Sequence, residues 1–173
     1  MIKLHPARPD DAFLDRLNLG ASADAAEACA FFQSRRWFKA GTADAPGRVK
    51  PPTFIVRWHD GRLSVDVGLV ALTNRKVVRP GGDGAKVVVL SIEVMGVDVA
   101  LQGRRPPQHA ESYATLLMDH LTEHALAAGR AGLALRVWAS NARAQRYYLR
   151  CGFHEAARFV LDGRDMLQMV KWL

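Results

Sequence analysis

The chain has 173 residues, 49% of them hydrophobic and 24% charged, with only two cysteines. That profile fits one soluble globular domain and excludes a disordered, collagenous or disulfide-scaffold protein, because ~100–200 residues is an ordinary domain size that needs no staple. Lys and Arg number 24 against 17 Asp and Glu, giving +7, and 18 of those cations are arginine. Arginine forks bind phosphate and carboxylate bidentately, so nucleotide cofactors, nucleic acid and acidic proteins are all open as partners, as is mere composition.

No apolar run approaches the ~20 residues of a membrane span, and the opening MIKLHPARPDD lacks the apolar core of a secretory signal. A cytoplasmic protein without a membrane partner is therefore expected. Cys29 and Cys151 show no CxxC spacing and read as reduced thiols, with no metal site implied.

In chain order, Ile2 to His5 predicts a short strand, and Asp10 and Asp11 predict an N-cap for a helix running to Asn18. A second helix is expected from Ala23 to Lys39, with Phe31, Phe32, Arg35 and Phe38 at helical spacing and Gly41 closing it. GTADAPGRVKPP reads as a loop inside one domain. From Thr53 the period becomes two, with Phe54, Val56 and Trp58 on one face. Asp60-Gly61 supplies a hairpin turn, and the returning strand runs to Asn74.

RPGGDGAK is a further connector, after which Lys86 to Leu101 reads as one long strand. Its apolar parity flips across Met95-Gly96, which predicts a β-bulge with Gly96 as the residue that tolerates it. GRRPPQH forms a loop. Ala110 to Ala128 follows as a helix with Tyr113, Leu117, Leu121 and Ala128 on one stripe and Gly129 as the stop. LALRVW is a buried strand, Asn141 to Arg150 a helix with Gly152 at its exit, and a closing hairpin turns at Asp162-Gly163. The order β, α, α, β, β, β, α, β, α, β, β describes a mixed α/β fold around one sheet.

The most specific local signal is NARAQRYYLRCGF. Asn141, Ala144 and Tyr148 are spaced three and then four apart, which puts them near one another on one helical face, while Gly152 and Phe153 end the helix and begin a strand. The pattern resembles that of the GNAT superfamily of acyl-CoA-dependent N-acyltransferases: Asn, two residues, Ala, three residues, Tyr, three residues, Gly-Phe. VMGVDVALQGR is similar to the family's central strand and the start of its pyrophosphate loop, and the inferred bulge falls where such proteins open a cleft between two strands. The resemblance covers residues 53 to 173 well and the first 50 loosely.

The resemblance implies a single GNAT-like domain over residues 1–173, with a mixed, mostly antiparallel sheet, a bulged central strand and helices on both faces. It also implies acetyl-CoA as cosubstrate. Backbone groups of Val97 and Val99 would pair with the pantetheine arm, and the pyrophosphate would sit against Gln102, Gly103, Arg104, Arg105 and the first turn of the next helix. Asn141 would bond the cofactor arm and Ala144 would let it approach. Tyr148 would protonate the departing thiolate, and Glu93 or an ordered water would take the amine's proton. Tyr147 is expected on the exposed side, and Asp98 to be structural.

One departure bears on the cofactor. Family members continue into the helix through a Gly-x-Gly/Ala run whose bare amides surround a diphosphate. Here the chain reads Arg104-Arg105-Pro106-Pro107-Gln108-His109-Ala110-Glu111-Ser112, with two prolines, a carboxylate and no second or third glycine. Either the two arginines replace amides with side-chain charge, or cofactor binding is weakened or lost. The expected activity is thus direct acetyl transfer to a small-molecule or protein amine, with a homodimer compatible. Its rivals are a non-catalytic binding module and a toxin-like enzyme that acetylates charged tRNA.

His120 to His124 spells H-x-x-E-H, a zinc-peptidase signature in other settings. It lacks a third ligand, and His124 borders the apolar stripe, so a packed histidine is expected. Arg143, Arg146 and Arg150 lie opposite Tyr148 and read as a solvated face or, with Arg104, Arg105, Arg75, Lys76 and Arg79, as a basic surface for RNA or for the cofactor's adenosine phosphates.

Overall fold

The alternation of apolar residues from Thr53 onward does produce strands, and the computed structural model describes residues 1–33, 52–81 and 84–173. Elements in chain order are β1 (Ile2–Pro6), α1 (Phe13–Arg16), α2 (Ala23–Gln33), β2 (Thr53–His59), β3 (Ser64–Val78), β4 (Lys86–Val97), α3 (Tyr113–Ala127), β5 (Gly132–Trp138), α4 (Ala142–Arg150), β6 (His154–Leu161) and β7 (Arg164–Trp172). Among the described residues these seven strands form one sheet in the order β1-β2-β3-β4-β5-β7-β6. The pairs β1/β2, β2/β3, β5/β7 and β6/β7 are antiparallel, and β4/β5 is parallel. This is the mixed, mostly antiparallel sheet expected from the sequence. The expected second-helix positions Arg35, Phe38 and Lys39, the stop at Gly41 and most of the loop after it lie outside the described residues.

The described residues cluster in two compact units, each drawn from two stretches of chain: residues 1–71 with 94–117, and residues 72–93 with 118–173. In the first, Phe13, Leu14 and Leu17 of the α1 region meet Cys29 and Phe32 of α2 over Ile55 and Leu69, with Leu19 and Val94 packed at the margin. Close approach of backbones in this unit depends on glycine. A Cβ on Gly68 would lie 1.9 Å from the carbonyl oxygen of Gly96. In the second unit Val77, Val89, Ala134 and Val170 form a core against which Val87 and Trp172 pack. The β6–β7 hairpin turns through Asp162 (φ 49°) and Gly163 (φ 76°). Two left-handed residues are what a tight hairpin with right-handed strand twist requires, so Asp162-Gly163 acts as the sequence predicts.

Four sequence expectations are corrected. The first helix is a single turn whose N-cap is Ala12, with no side-chain cap, and the Asp11 carboxylate accepts from the Arg8 amide instead. β3 runs four residues past Asn74, to Val78. β4 ends at Val97, not Leu101, because Asp98 caps a 3-10 turn over Val99–Leu101. In α3 the buried positions are Tyr113, Leu117, Met118, Leu121 and Ala125, while Ala128 is exposed. A register shift is found between β2 and β3, at Val56/Arg57.

Candidate active site

The end of β4 is governed by one side chain. Asp98 Oδ1 accepts from the Ala100 amide at 2.9 Å and Oδ2 from the Asn18 amide at 3.2 Å. A short acceptor at a chain reversal offers backbone amides an alternative to the strand ladder, which is why alternating polarity alone misreads this segment. Asp98 is structural, as expected. Val99 then donates its amide to the Asn18 carbonyl at 2.6 Å. Gln102 folds back, its Nε2 donating to the carbonyls of Leu19 (2.9 Å) and Val97 (3.0 Å). Beyond it Gly103 is exposed with φ +73°, and Arg104 and Arg105 are exposed. The Arg104 carbonyl accepts from the Tyr113 amide that opens α3.

α4 is organised by its first residue. Asn141 is the N-cap, and its Oδ1 accepts from the Ala144 amide at 3.1 Å. One turn on, the Tyr148 ring lies 5.8 Å from Phe153 and 5.4 Å from Tyr147. Burial, with the Cys151 thiol nearby, pushes the Tyr148 phenol up to about 12. Tyr147 is half-buried, not on the exposed side; desolvation, with Cys151 hydrogen-bonded beside it, pushes its phenol up further still. Arg143, Arg146 and Arg150 are exposed. Gly152 takes φ +87° at the exit, where only glycine turns the chain without strain.

Glu93 sits in a network of its own. Its Oε1 accepts from Arg75 at 2.9 Å and Ser91 at 2.7 Å, and its Oε2 from Arg136 at 3.0 Å. Partial burial opposes its ionisation, but the bonds from Ser91, Arg75 and Arg136 outweigh that and hold the carboxyl below its usual range. A carboxylate so satisfied is a weak base at neutral pH. Its depressed pKa contributes stability that is present above the ordinary glutamate value of 4.5 and is lost as pH falls through the lower, folded value. Urea unfolding between about pH 3 and 7 should therefore show a loss on the acid side that Glu93→Gln diminishes. An unchanged acid limb in the variant would remove the network's contribution.

Residues 24–153 match the model of the Acetyltransferase (GNAT) family. The chain belongs to this family. Solved structures extend the likeness over the whole chain at the level of fold. Arabidopsis thaliana NAA60 in complex with a bisubstrate analogue aligns at 18% identity and TM-score 0.57, covering 100% of this chain and 99% of that one. A spermidine N-acetyltransferase chimera from Vibrio cholerae and hSSAT gives 17% identity and TM-score 0.56 with 99% and 94% covered. A bacterial toxin gives 14% and 0.60 with 99% and 90% covered. No curated protein matches the chain. GNAT membership makes acyl transfer the activity class supported by the comparisons.

Against a GNAT pyrophosphate loop, the fit of an acyl-CoA to these residues divides in two. Exposed Gly103, Arg104 and Arg105 suit a diphosphate, and neither guanidinium makes an ion pair among the described residues. The Val97 carbonyl and Val99 amide are already engaged by Gln102 and Asn18, so those two groups do not suit a strand-like arm. Sequence reasoning also missed a cavity of about 500 Å³ alongside Asp98, Ala100 and Leu101, walled by Phe13, Arg57 and Asp66. Asp66 there pairs Arg57 at 2.6 Å and Arg16 at 3.2 Å. The cross-strand register Arg57↔Asp66 would have exposed that pair, had the slip at Val56 been foreseen.

His124 is exposed and His120 half-buried, which corrects the expectation of a packed His124. No group of three or more His, Cys, Asp or Glu is placed to hold a metal among the described residues. No helix among them is long and apolar enough to cross a membrane.

Proposed function

We propose that this GNAT protein is an N-acetyltransferase, a single catalytic domain that moves an acetyl group from acetyl-CoA directly to the nitrogen of a small-molecule or protein amine. The observation that carries this reading is Tyr148, a desolvated phenol held up to about 12 on the helix whose Asn141, Ala144 and Gly152-Phe153 complete the family's pattern. Such a phenol stays protonated at neutral pH. Full transfer to a thiolate of ordinary pKa would run uphill, so Tyr148 acts best by hydrogen-bonding the sulfur as the C–S bond breaks.

Gly103, Arg104 and Arg105 take the role of holding the diphosphate, with guanidinium charge in place of glycine amides. Ala144 offers a small side chain, and Asn141 has its Nδ2 for the cofactor because its Oδ1 is spent on the cap. The amine's proton passes to water, since Glu93 is committed to two arginines and a serine.

A second reading, a non-catalytic binding module of the same fold, is favoured by the engaged Val99 amide and Gln102 side chain. Acetyl-CoA separates the two. At 100 times its Kd, a specific ligand adds about 2.7 kcal/mol to stability, so millimolar acetyl-CoA should raise Tm by several degrees and give heat in calorimetry. No rise and no heat would leave the module reading standing. Labelled acetyl transfer to a mixed charged-tRNA pool tests the toxin-like acceptor in the same preparation.

A further inference from the structure

The first compact unit brings together two histidines that the candidate acyl-CoA site does not use. β1 is an edge strand paired with β2, and their register sets Lys3 opposite Arg57. Side chains alternate between faces along a strand, so His5 and His59 flank that pair diagonally on one face of the sheet. Their rings reach toward each other. Nε2 of His5 lies 3.4 Å from Nε2 of His59, with ring centroids 5.7 Å apart and planes tilted by 50°. Both residues are half-buried, so each keeps access to solvent.

The 3.4 Å separation is longer than an ordinary hydrogen bond of ~2.7–3.2 Å, so the two rings are held close without a good bond of their own. It is the separation that one metal ion bound to both would impose. With metal–nitrogen bonds of ~2.0–2.1 Å, a tetrahedral angle sets two ligand nitrogens ~3.3–3.4 Å apart, a right angle ~2.9 Å and a linear arrangement ~4.1 Å. Tetrahedral geometry and imidazole donors together favour zinc. On the far side of the His59 ring, Nδ1 lies 2.7 Å from Ser64 Oγ. Donation of Nδ1–H to that oxygen fixes the tautomer with a lone pair on Nε2, as outer partners of metal-bound histidines do. Desolvation and then the neighbouring Lys3, His5 and Arg57 hold His59 below the usual histidine range, so its ring is neutral at neutral pH. Arg57 is itself paired with Asp66 at 2.6 Å. Lys3 makes no ion pair among the described residues, and its charge opposes a bound cation.

We infer that His5 and His59 hold a zinc ion between their Nε2 atoms, with water completing four-coordination and Ser64 positioning the His59 ring. The ion ties the edge strand β1 to the end of β2, across 54 residues of chain. The site is distinct from the acyl-CoA residues and does not depend on acetyl transfer.

The test uses the whole chain, stripped with a chelator and titrated with zinc chloride in a calorimeter. The expected result is saturable binding of one ion per chain at micromolar concentration, weakened about tenfold or more by His5→Gln and by His59→Gln. Ser64→Ala should weaken it about tenfold through the lost outer partner. Lys3→Gln should tighten it severalfold, because a like charge leaves, whereas an anion site would respond the other way. His120 and His124, one turn apart on α3, offer a rival pair, so the double variant His120→Gln with His124→Gln should bind zinc as the unaltered chain does. Should a β1 or β2 variant not fold, 15N-labelled histidine in the unaltered chain replaces it: zinc should move the Nε2 resonances of His5 and His59 together. Absence of saturable binding, unchanged affinity in both single histidine variants, loss of binding in the α3 double variant, or zinc-induced shifts confined to other histidines would overturn the site.

Discussion

Tyr148→Phe is expected to lower kcat for acetyl transfer to a test amine about a hundredfold, within the range of about 10²–10³ that the loss of one positioned hydrogen-bond donor costs. The Kd for acetyl-CoA should change little, because the ring contacts with Tyr147 and Phe153 survive and only the hydroxyl is lost. The phenol's raised pKa adds a second signature: an alkaline limb governed by Tyr148 should not appear until near pH 12. A variant with unchanged kcat would assign Tyr148 to packing alone. One that lost cofactor affinity with its rate would point to a binding role.

Gly68→Ala is expected to cost about 3 kcal/mol or more, at the upper end of overpacking, and to show as a lower urea midpoint at similar slope. The added carbon meets the Gly96 carbonyl oxygen, which is backbone and cannot swing aside as a side-chain end can. At Gly96 the same substitution meets Leu19 Cδ2 at 2.4 Å, the tip of a flexible side chain, so Gly96→Ala should be the milder of the two. Equal losses at both sites would mean that the β3 and β4 backbones are free to separate.

Both glycines were visible in the sequence, yet only Gly96 attracted notice there, as a site for a bulge. Close approach of two backbones is a tertiary fact with no local pattern. What is local is legible: whereas the sequence assigns Asn141 to the cofactor arm and not to the N-cap it forms, Gly152, expected at the exit of the helix that becomes α4, takes positive φ there. The same holds for the Asp162-Gly163 turn, whose residues supply positive φ by themselves.

Failures cluster where a side chain competes with the regular ladder or where the deciding partner is distant. Asp98 ends β4 by taking amides that alternation would have given to a strand. The sequence offers Val99 and Gln102 as cofactor groups because Asn18 and Leu19, which engage them, lie more than 80 residues away in the chain. Helical spacing puts His124 at the border of the apolar stripe, but the buried face of α3 is set by Met118 and Ala125 as well as Leu117 and Leu121.

The place of β7 bears on how the chain comes to be folded in a cell. Arg164–Trp172 pairs with β5 on one side and β6 on the other, so β7 is interior although it follows both of its partners in the chain. During synthesis β5 would wait with its β7-facing edge bare until α4 and β6 had been made, and Val170, a member of the second unit's core, would arrive only after them. That unit can close only once residues 164–172 have cleared the ribosome exit tunnel, so a stalled or truncated chain would present an unpaired strand edge to chaperones and proteases.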